Sequence, residues 1–246
     1  VSKRRRNRNG RTISSFLPPC ITTTEGIRIV APLAPEVEVE LRYRDEVVVR
    51  WECSPLHLED LARGWLLGEG RLARTERIGA VRLDPDASLI LIDGPPLVRP
   101  AAIEPIPVQA TAEIAAGFAA PDVLRPLYEE MFAHAELKHR TGGVHTGALV
   151  VAGEVRFVRE DVSRHCVVDK LLGAGWHDGL PPHDCRLLLT SRVSGAIAAK
   201  VARAGVPIVT TMSVPTTLAG AVAGQAGVTM VGRARSSSPH IYRGEG

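Results

Sequence analysis

Between Arg140 and Lys170 the chain gathers most of the residue types that do chemistry. They are the turn Gly142-Gly143, the histidines His145 and His165, the carboxylates Glu160, Asp161 and Asp169, the guanidinium of Arg164, the thiol of Cys166 and Lys170. Burying so many ionisable groups unpaired is expensive, so a polar pocket is the better use for them. Gly142-Gly143 can take backbone angles closed to other residues and turn N–H groups towards a bound anion. Glu160-Asp161 ends an apolar alternation and precedes a helical pattern, where a carboxylate either caps free N–H groups or joins a site. With Arg164 to Gly173 helical, His165 and Asp169 share one face, and Cys166 and Lys170 form the neighbouring stripe. A nearby cation and the first helical turn would lower the Cys166 pKa. That would make Cys166 a nucleophile, with His145 or His165 as acid and base and Glu160 or Asp161 as orienting carboxylate. The alternative for Cys166 is a small buried hydrophobe. Further on, Ser191-Arg192, Ser213 and Arg233 each follow an apolar run, and an arginine fork there suits phosphate or carboxylate.

The elements that must position these groups follow from periodicity. Val37, Val39, Leu41 and Tyr43 alternate, as do Val47, Val49 and Trp51, which predicts a hairpin. Leu56 to Leu67 has helical spacing and stops at Gly68-Glu69-Gly70. Short strands are expected at 78–83 and 89–92. Residues 94–120, rich in Pro, Gly and Ala, mark the boundary between two units. Pro121 to Leu137 is an expected amphipathic helix. Strands at 147–151, 155–158, 186–190, 207–211 and 228–231 then alternate with helices at 164–173, 194–204 and 216–226. That pattern predicts a sheet covered by helices, with ligands at the loop ends of the strands. The expected division is a tail over 1–26, a small α/β unit over 27–100, a linker over 101–120 and a second domain over 121–246.

At 246 residues with 45% hydrophobic and 23% charged content, composition fits an ordinary globular protein. No apolar run has the length of a membrane span and no signal-peptide core is present, so a cytoplasmic protein is expected. The net charge of +3 is concentrated in a tail. Six of the 30 basic residues lie in the first eleven positions, leaving 24 against 27 acidic ones in the rest. A disordered, solvated tail is the expected reading, with nucleic acid not expected as a partner. Cys20, Cys53, Cys166 and Cys185 lack the close spacing of a zinc site, so no metal is expected.

With these residues laid out, the chain resembles the formate dehydrogenase accessory sulfurtransferase family from about residue 35 to Tyr242. Pro55 to Gly70 is similar to its helix ending in "GFLLSEG", Thr141 to Leu149 to its "TGGVHTAAL" loop, and Glu160 to Lys170 to "EDVGRHNAxDK". Thr190-Ser191-Arg192 stands where the family has "SGR", Ser213 to Thr216 parallels "SxPT", and Val231 to Arg235 parallels "VGFxR". The resemblance implies an α/β fold: a small α/β N-terminal unit and a cytidine-deaminase-like three-layer α/β/α C-terminal domain, as a homodimer. It also implies sulfur transfer from a cysteine desulfurase to the molybdenum bis-guanine-dinucleotide cofactor of a molybdoenzyme, formate dehydrogenase, with a pocket for a guanine nucleotide. No tightly bound cofactor is expected. Carried over residue by residue, Thr141, Gly142, Gly143, Thr146, Arg164, Asp169, Lys170, Ser191, Arg192, Ser213 and Arg233 are the expected ligand-binding set. His145, Glu160, Asp161, His165 and Cys166 are the expected catalytic one.

The chain departs from the family in four places. The family's C-x-x-C loop has no counterpart, because no cysteine occurs from Ala101 to Arg140. Ser163 and Ser191 replace motif glycines, which would narrow a cleft or disfavour a positive φ, and Cys166 replaces an asparagine. Three readings follow. The chain is a sulfurtransferase-like accessory protein, in which Cys166 would carry any sulfur. Or it is a repurposed enzyme acting on a small molecule with Cys166 as nucleophile. Or it is a binding chaperone without catalysis.

Overall fold

A computed structural model of the chain describes residues 32–243 except 73–75, 77, 85, 87, 101, 102, 104 and 107. The basic tail expected over 1–26, and Cys20, lie outside the described residues. The hairpin forms as β1 (Val37–Tyr43) and β2 (Glu46–Cys53), followed by α1 (Leu58–Gly68), β3 (Val81–Leu83) and β4 (Leu89–Ile92). These strands make a sheet of order β2-β1-β4-β3, in which β1 and β4 run parallel. Val39, Leu41, Ile90 and Ile92 pack against Leu58, Leu61, Ala62 and Leu66 of α1 in one buried cluster.

Residues 101–120 do more than connect. The alanine-rich run forms α2 (Val108–Phe118), in keeping with the high helix propensity of alanine. Ala115 is fully buried, and the Ile106 N–H donates to the Ala226 carbonyl at 2.7 Å. The single helix expected over Pro121 to Leu137 is two helices, α3 (Pro121–Ala133) and α4 (Glu136–Thr141). The break has a physical reason. It frees the Leu137 and Lys138 N–H groups to donate to the Glu160 carboxylate, at 2.7 and 2.8 Å.

The rest of the chain is β5 (His145–Val151), β6 (Glu154–Asp161), α5 (Arg164–His177), β7 (Cys185–Leu189), α6 (Gly195–Ala204), β8 (Ile208–Thr211), α7 (Thr217–Ala226), β9 (Thr229–Gly232) and β10 (His240–Tyr242). The second sheet has the order β10-β9-β8-β7-β5-β6. Strands β7, β8 and β9 are parallel, and β5 lies antiparallel to both β6 and β7. Leu149, Leu187, Leu189, Val209 and Met230 face α5, α6 and α7. Ala148, Val150, Leu188 and Val231 face α3. The domain is therefore three layers, helix, sheet and helix.

The two units meet where α1 crosses α5. A Cβ on Gly64 would lie 1.7 Å from the Asp169 carbonyl oxygen, and one on Gly173 would lie 1.9 Å from that of Asp60. Only glycine at both positions lets the two backbones touch. This contact fixes α5, whose first turn carries the candidate site, against the N-terminal unit.

Candidate functional site

The sheet's topology brings the scattered motifs to one edge. β5 begins where β6 ends, with His145 opposite Asp161 and Thr146 opposite Glu160. Because β5 is antiparallel to β7, its start also lies beside the end of β7. There the Thr146 N–H donates to Thr190 Oγ1 and the Thr190 N–H to the Thr146 carbonyl, each at 3.0 Å. The loops after the parallel strands emerge on the same side. They are pinned together by a parallel bridge between Val193 and Pro215, by Thr216 N–H to the Val193 carbonyl (3.0 Å) and by Arg233 N–H to the Ser213 carbonyl (2.7 Å).

Helices α5, α6 and α7 start at this edge, so their positive ends converge on it. Ser194 Oγ caps α6 by accepting from the Ile197 N–H, and Thr216 Oγ1 caps α7 by accepting from the Ala219 N–H at 3.3 Å. Ser163 precedes α5 at φ −96 with no side-chain cap bond. Neither Ser163 nor Ser191 has a positive φ. The expected backbone strain at these two replaced glycines is therefore absent.

His145 and His165 are half-buried here. Burial lowers both pKa values, and the Arg164 guanidinium beside them lowers both further, so both rings are neutral at neutral pH. Ser194 Oγ lies 3.5 Å from His165 Nε2. Arg192 and Arg233 are exposed and Arg164 partly so, while Ser191 is buried and Ser213 half-buried. Two imidazoles, three guanidiniums, hydroxyls and three helix starts thus lie on the loops at this edge of the sheet, donor types that suit an anion with several acceptor oxygens. Among the described residues, no cluster of His, Cys, Asp and Glu is placed to hold a metal.

Other expected site residues lie beneath this edge. Asp161 is fully buried, and its oxygens accept from Ser163 N–H (2.8 Å), Ser54 N–H (3.2 Å) and Lys170 Nζ (2.5 Å). Lys170 is equally buried and also donates to the Ser54 carbonyl at 3.0 Å. These two expected site residues instead form an ion pair that ties the N-terminal unit to the start of α5. Asp169 lies with Lys200, whose Nζ reaches both its oxygens at 2.8 and 2.9 Å and Glu69 at 2.8 Å. Burial raises the Asp169 pKa to about 6. Glu160 accepts the α4 N–H groups, and burial raises its pKa also.

Cys166 is 2% exposed, and burial pushes its pKa up to about 12, with the Asp161 carboxylate adding to the rise. The lowered pKa expected for it is thus reversed. A thiol pushed up that far is protonated at pH 7 and packed away from solvent, which argues against it as a nucleophile.

The Gly142-Gly143 turn also differs from the anion cradle expected of it. Gly142 ends α4 at φ 69 with its N–H on the Lys138 carbonyl (2.9 Å), and the Gly143 N–H donates to Thr141 Oγ1 at 3.2 Å. Thr141 Oγ1 itself donates to the Leu137 carbonyl, and Thr146 is buried. The loop is a hydrogen-bonded helix end that leads into β5 at His145.

Sequence reasoning gave no role at the site to Ser194, Thr190, Thr216 or Lys200. The two caps had a readable signal, a hydroxyl residue directly before a helical pattern. Lys200 had none, since it sits among the alanines of an ordinary helical stretch.

Comparison with known proteins shows the family and the fold. The sequence profile of the FdhD/NarQ family matches residues 101–246. A protein named sulfur carrier protein FdhD, from Methanothermobacter thermautotrophicus, is 30% identical over 230 residues, which are 87% of this chain and 90% of the relative. The chain belongs to the FdhD/NarQ family. A Streptomyces coelicolor family member of the same name is 40% identical over 126 residues, half of this chain and 45% of that relative. A crystal structure from Desulfotalea psychrophila, described as a formate dehydrogenase accessory protein, superposes with a TM-score of 0.71 at 24% identity. It covers 87% of this chain and 90% of that one, which shows the shared α/β fold.

Proposed function

We propose that this chain is an accessory protein of formate dehydrogenase maturation, handling sulfur destined for the molybdenum cofactor and holding an anionic guanine-type nucleotide in the cleft. One observation carries the nucleotide reading: Arg164, Arg192, Arg233 and the starts of α5, α6 and α7 converge on one sheet edge. Guanidinium forks and helix ends hold phosphate oxygens, and His145 and His165, being neutral, can each donate and accept one hydrogen bond. The molybdenum bis-guanine-dinucleotide cofactor is the cargo that fits this reading. A cysteine desulfurase as donor, a molybdoenzyme as acceptor, a homodimer and a cytoplasmic site of action complete it.

Sulfur carriage needs a thiolate that can visit donor and acceptor. Cys53, Cys166 and Cys185 are buried, and burial raises their pKa values to about 12, 12 and 11. That leaves Cys20, fourteen positions before Ala34. Ala34 packs with Leu56, Leu137 and Val144, so the chain leads in beside the loop that precedes His145. A stretch of ~14 residues spans at most about 50 Å when extended. In this reading the Cys20 thiolate attacks the outer sulfur of the donor's persulfide. The donor's S–S bond breaks, its cysteine leaves as a thiolate, and Cys20 keeps the persulfide.

Titration calorimetry with GDP tests the nucleotide, and Arg192→Ala and His145→Ala should each weaken it. Absence of any binding by the wild type refutes the nucleotide reading. Mass spectrometry after incubation with a cysteine desulfurase and cysteine tests the carrier. An adduct abolished by Cys20→Ala supports it. Binding of GDP with no adduct on any cysteine would instead leave a nucleotide-binding chaperone.

A further inference from the structure

From Cys185 to Gly244 the sequence holds no aspartate or glutamate, yet it holds Arg186, Arg192, Lys200, Arg203, Arg233, Arg235 and Arg243. All but two of the 27 acidic residues lie between Glu36 and Asp184. The half of the domain built from β7 to β10 thus carries charge of one sign. Lys200 is neutralised by Asp169 and Glu69. Arg192, Arg233 and Arg235 are exposed, with Arg235 stacked over the Phe132 ring of α3.

On the loop joined to those of Arg192 and Arg233, and at the helix start that follows it, two apolar side chains are exposed, Val214 at 37% and Leu218 at 63%. Neither is a loose excursion. Val214 lies between Ser213, which accepts the Arg233 N–H, and Pro215, which bridges to Val193. Leu218 lies across the start of α6, so close that a Cβ on Gly195 would come within 2.5 Å of its Cγ. Apolar side chains on the same loops as exposed cations are one way a surface anchors a partner and orients it.

We propose that this rim, with Arg192 and Arg233 on the loops pinned to Ser213–Thr216 and with Val214 and Leu218 exposed, docks the acidic surface of a partner protein that sets an apolar side chain against Val214 and Leu218. Charge selects the occupant. The chain's own N-terminus has the wrong sign, since its first eleven residues carry six cations and no acid. A second copy meeting this face symmetrically would set arginine against arginine, because a two-fold contact presents the same patch twice. A nucleic acid would satisfy the arginines but would leave the two aliphatic side chains unused. The partner therefore sits at the loop edge of the sheet, where its acidic groups would share Arg192 and Arg233 with any anion held there. The inference is independent of sulfur carriage.

Fluorescence anisotropy tests this with three labelled probes of equal charge: a peptide of repeating Glu-Glu-Leu-Glu, polyglutamate, and single-stranded oligo(dT). The leucine-containing peptide should bind about tenfold more tightly than polyglutamate, and its Kd should rise steeply between about 50 and 300 mM salt. Leu218→Ser should erase the tenfold margin while leaving GDP affinity and thermal midpoint unchanged. Arg192→Glu should weaken both peptides. Four results would overturn the proposal: no peptide binding at low salt, no effect of Leu218→Ser, tighter binding of oligo(dT) than of the leucine peptide, or a wild-type dimer that Leu218→Ser dissociates in sedimentation.

Discussion

Replacing Lys170 with methionine separates a structural ion pair from a functional site. Lys170 and Asp161 side chains are both 0% exposed, and the pair spans 2.5 Å. In Lys170→Met the Asp161 carboxylate keeps the Ser54 and Ser163 N–H groups but loses its counter-charge, and the Ser54 carbonyl loses its donor. Breaking a buried pair on one side costs about 3–5 kcal/mol. For a domain of this size, that corresponds to a fall in Tm of about 6–20 °C. Scanning calorimetry and urea unfolding give the value. The double variant Asp161→Asn, Lys170→Met removes the stranded charge, so the two changes should couple by at least about 1 kcal/mol instead of adding. GDP affinity, measured well below the lowered Tm, should stay within about twofold, because Lys170 presents no atom to the cleft and each tenfold change would need about 1.4 kcal/mol. A Tm within about 2 °C of the wild type together with lost GDP binding would refute the structural assignment, since destabilisation on that scale is under ~1 kcal/mol.

Three further outcomes are expected. Gly64→Ala should cost stability, because overpacking of about 1–3 kcal/mol or more outweighs the gain of about 1 kcal/mol from replacing a helical glycine. Gly117→Ala, whose Cβ meets nothing within 4 Å, should be neutral or stabilising, and thermal melts compare the two. With the pKa values of His145 and His165 held below their unfolded value, stability should be full above pH 6.5 and fall as pH drops through the depressed values. An anion in the cleft favours the protonated rings, so GDP should bind more tightly at pH 5.5 than at 7.5. His145→Gln, His165→Gln should flatten both profiles, which melts and calorimetry across pH would show. Finally, Cys53, Cys166 and Cys185 should react with iodoacetamide at least about 100-fold more slowly in the native protein than in urea, as peptide mass spectrometry can follow.

The sequence by itself determined the alternation of strands and helices, because hydrophobic period is a local property. β1, β2, α1, α6 and α7 all lie within a residue or two of where period and caps place them. It also named the histidines, arginines and serines at the loop edge of the sheet and the family to which the chain belongs. It could not tell which ionisable groups face solvent. His165 and Cys166 are adjacent in a helix, yet one borders the cleft and the other is packed under it, because α5 is pressed on one side by β5 and on the other by α1. Asp161 and Lys170 read as chemistry for the same reason. Their partner is Ser54, more than a hundred residues away in the chain, and only the crossing of α1 on α5 brings it near. The split of α3 from α4 was equally invisible, since the acceptor of the freed N–H groups is Glu160 on a later strand. Residue type and spacing specified what the site is made of. The glycine-mediated contact of two helices, a property of the packed molecule, decided which of those residues stay at the surface and which hold the structure together.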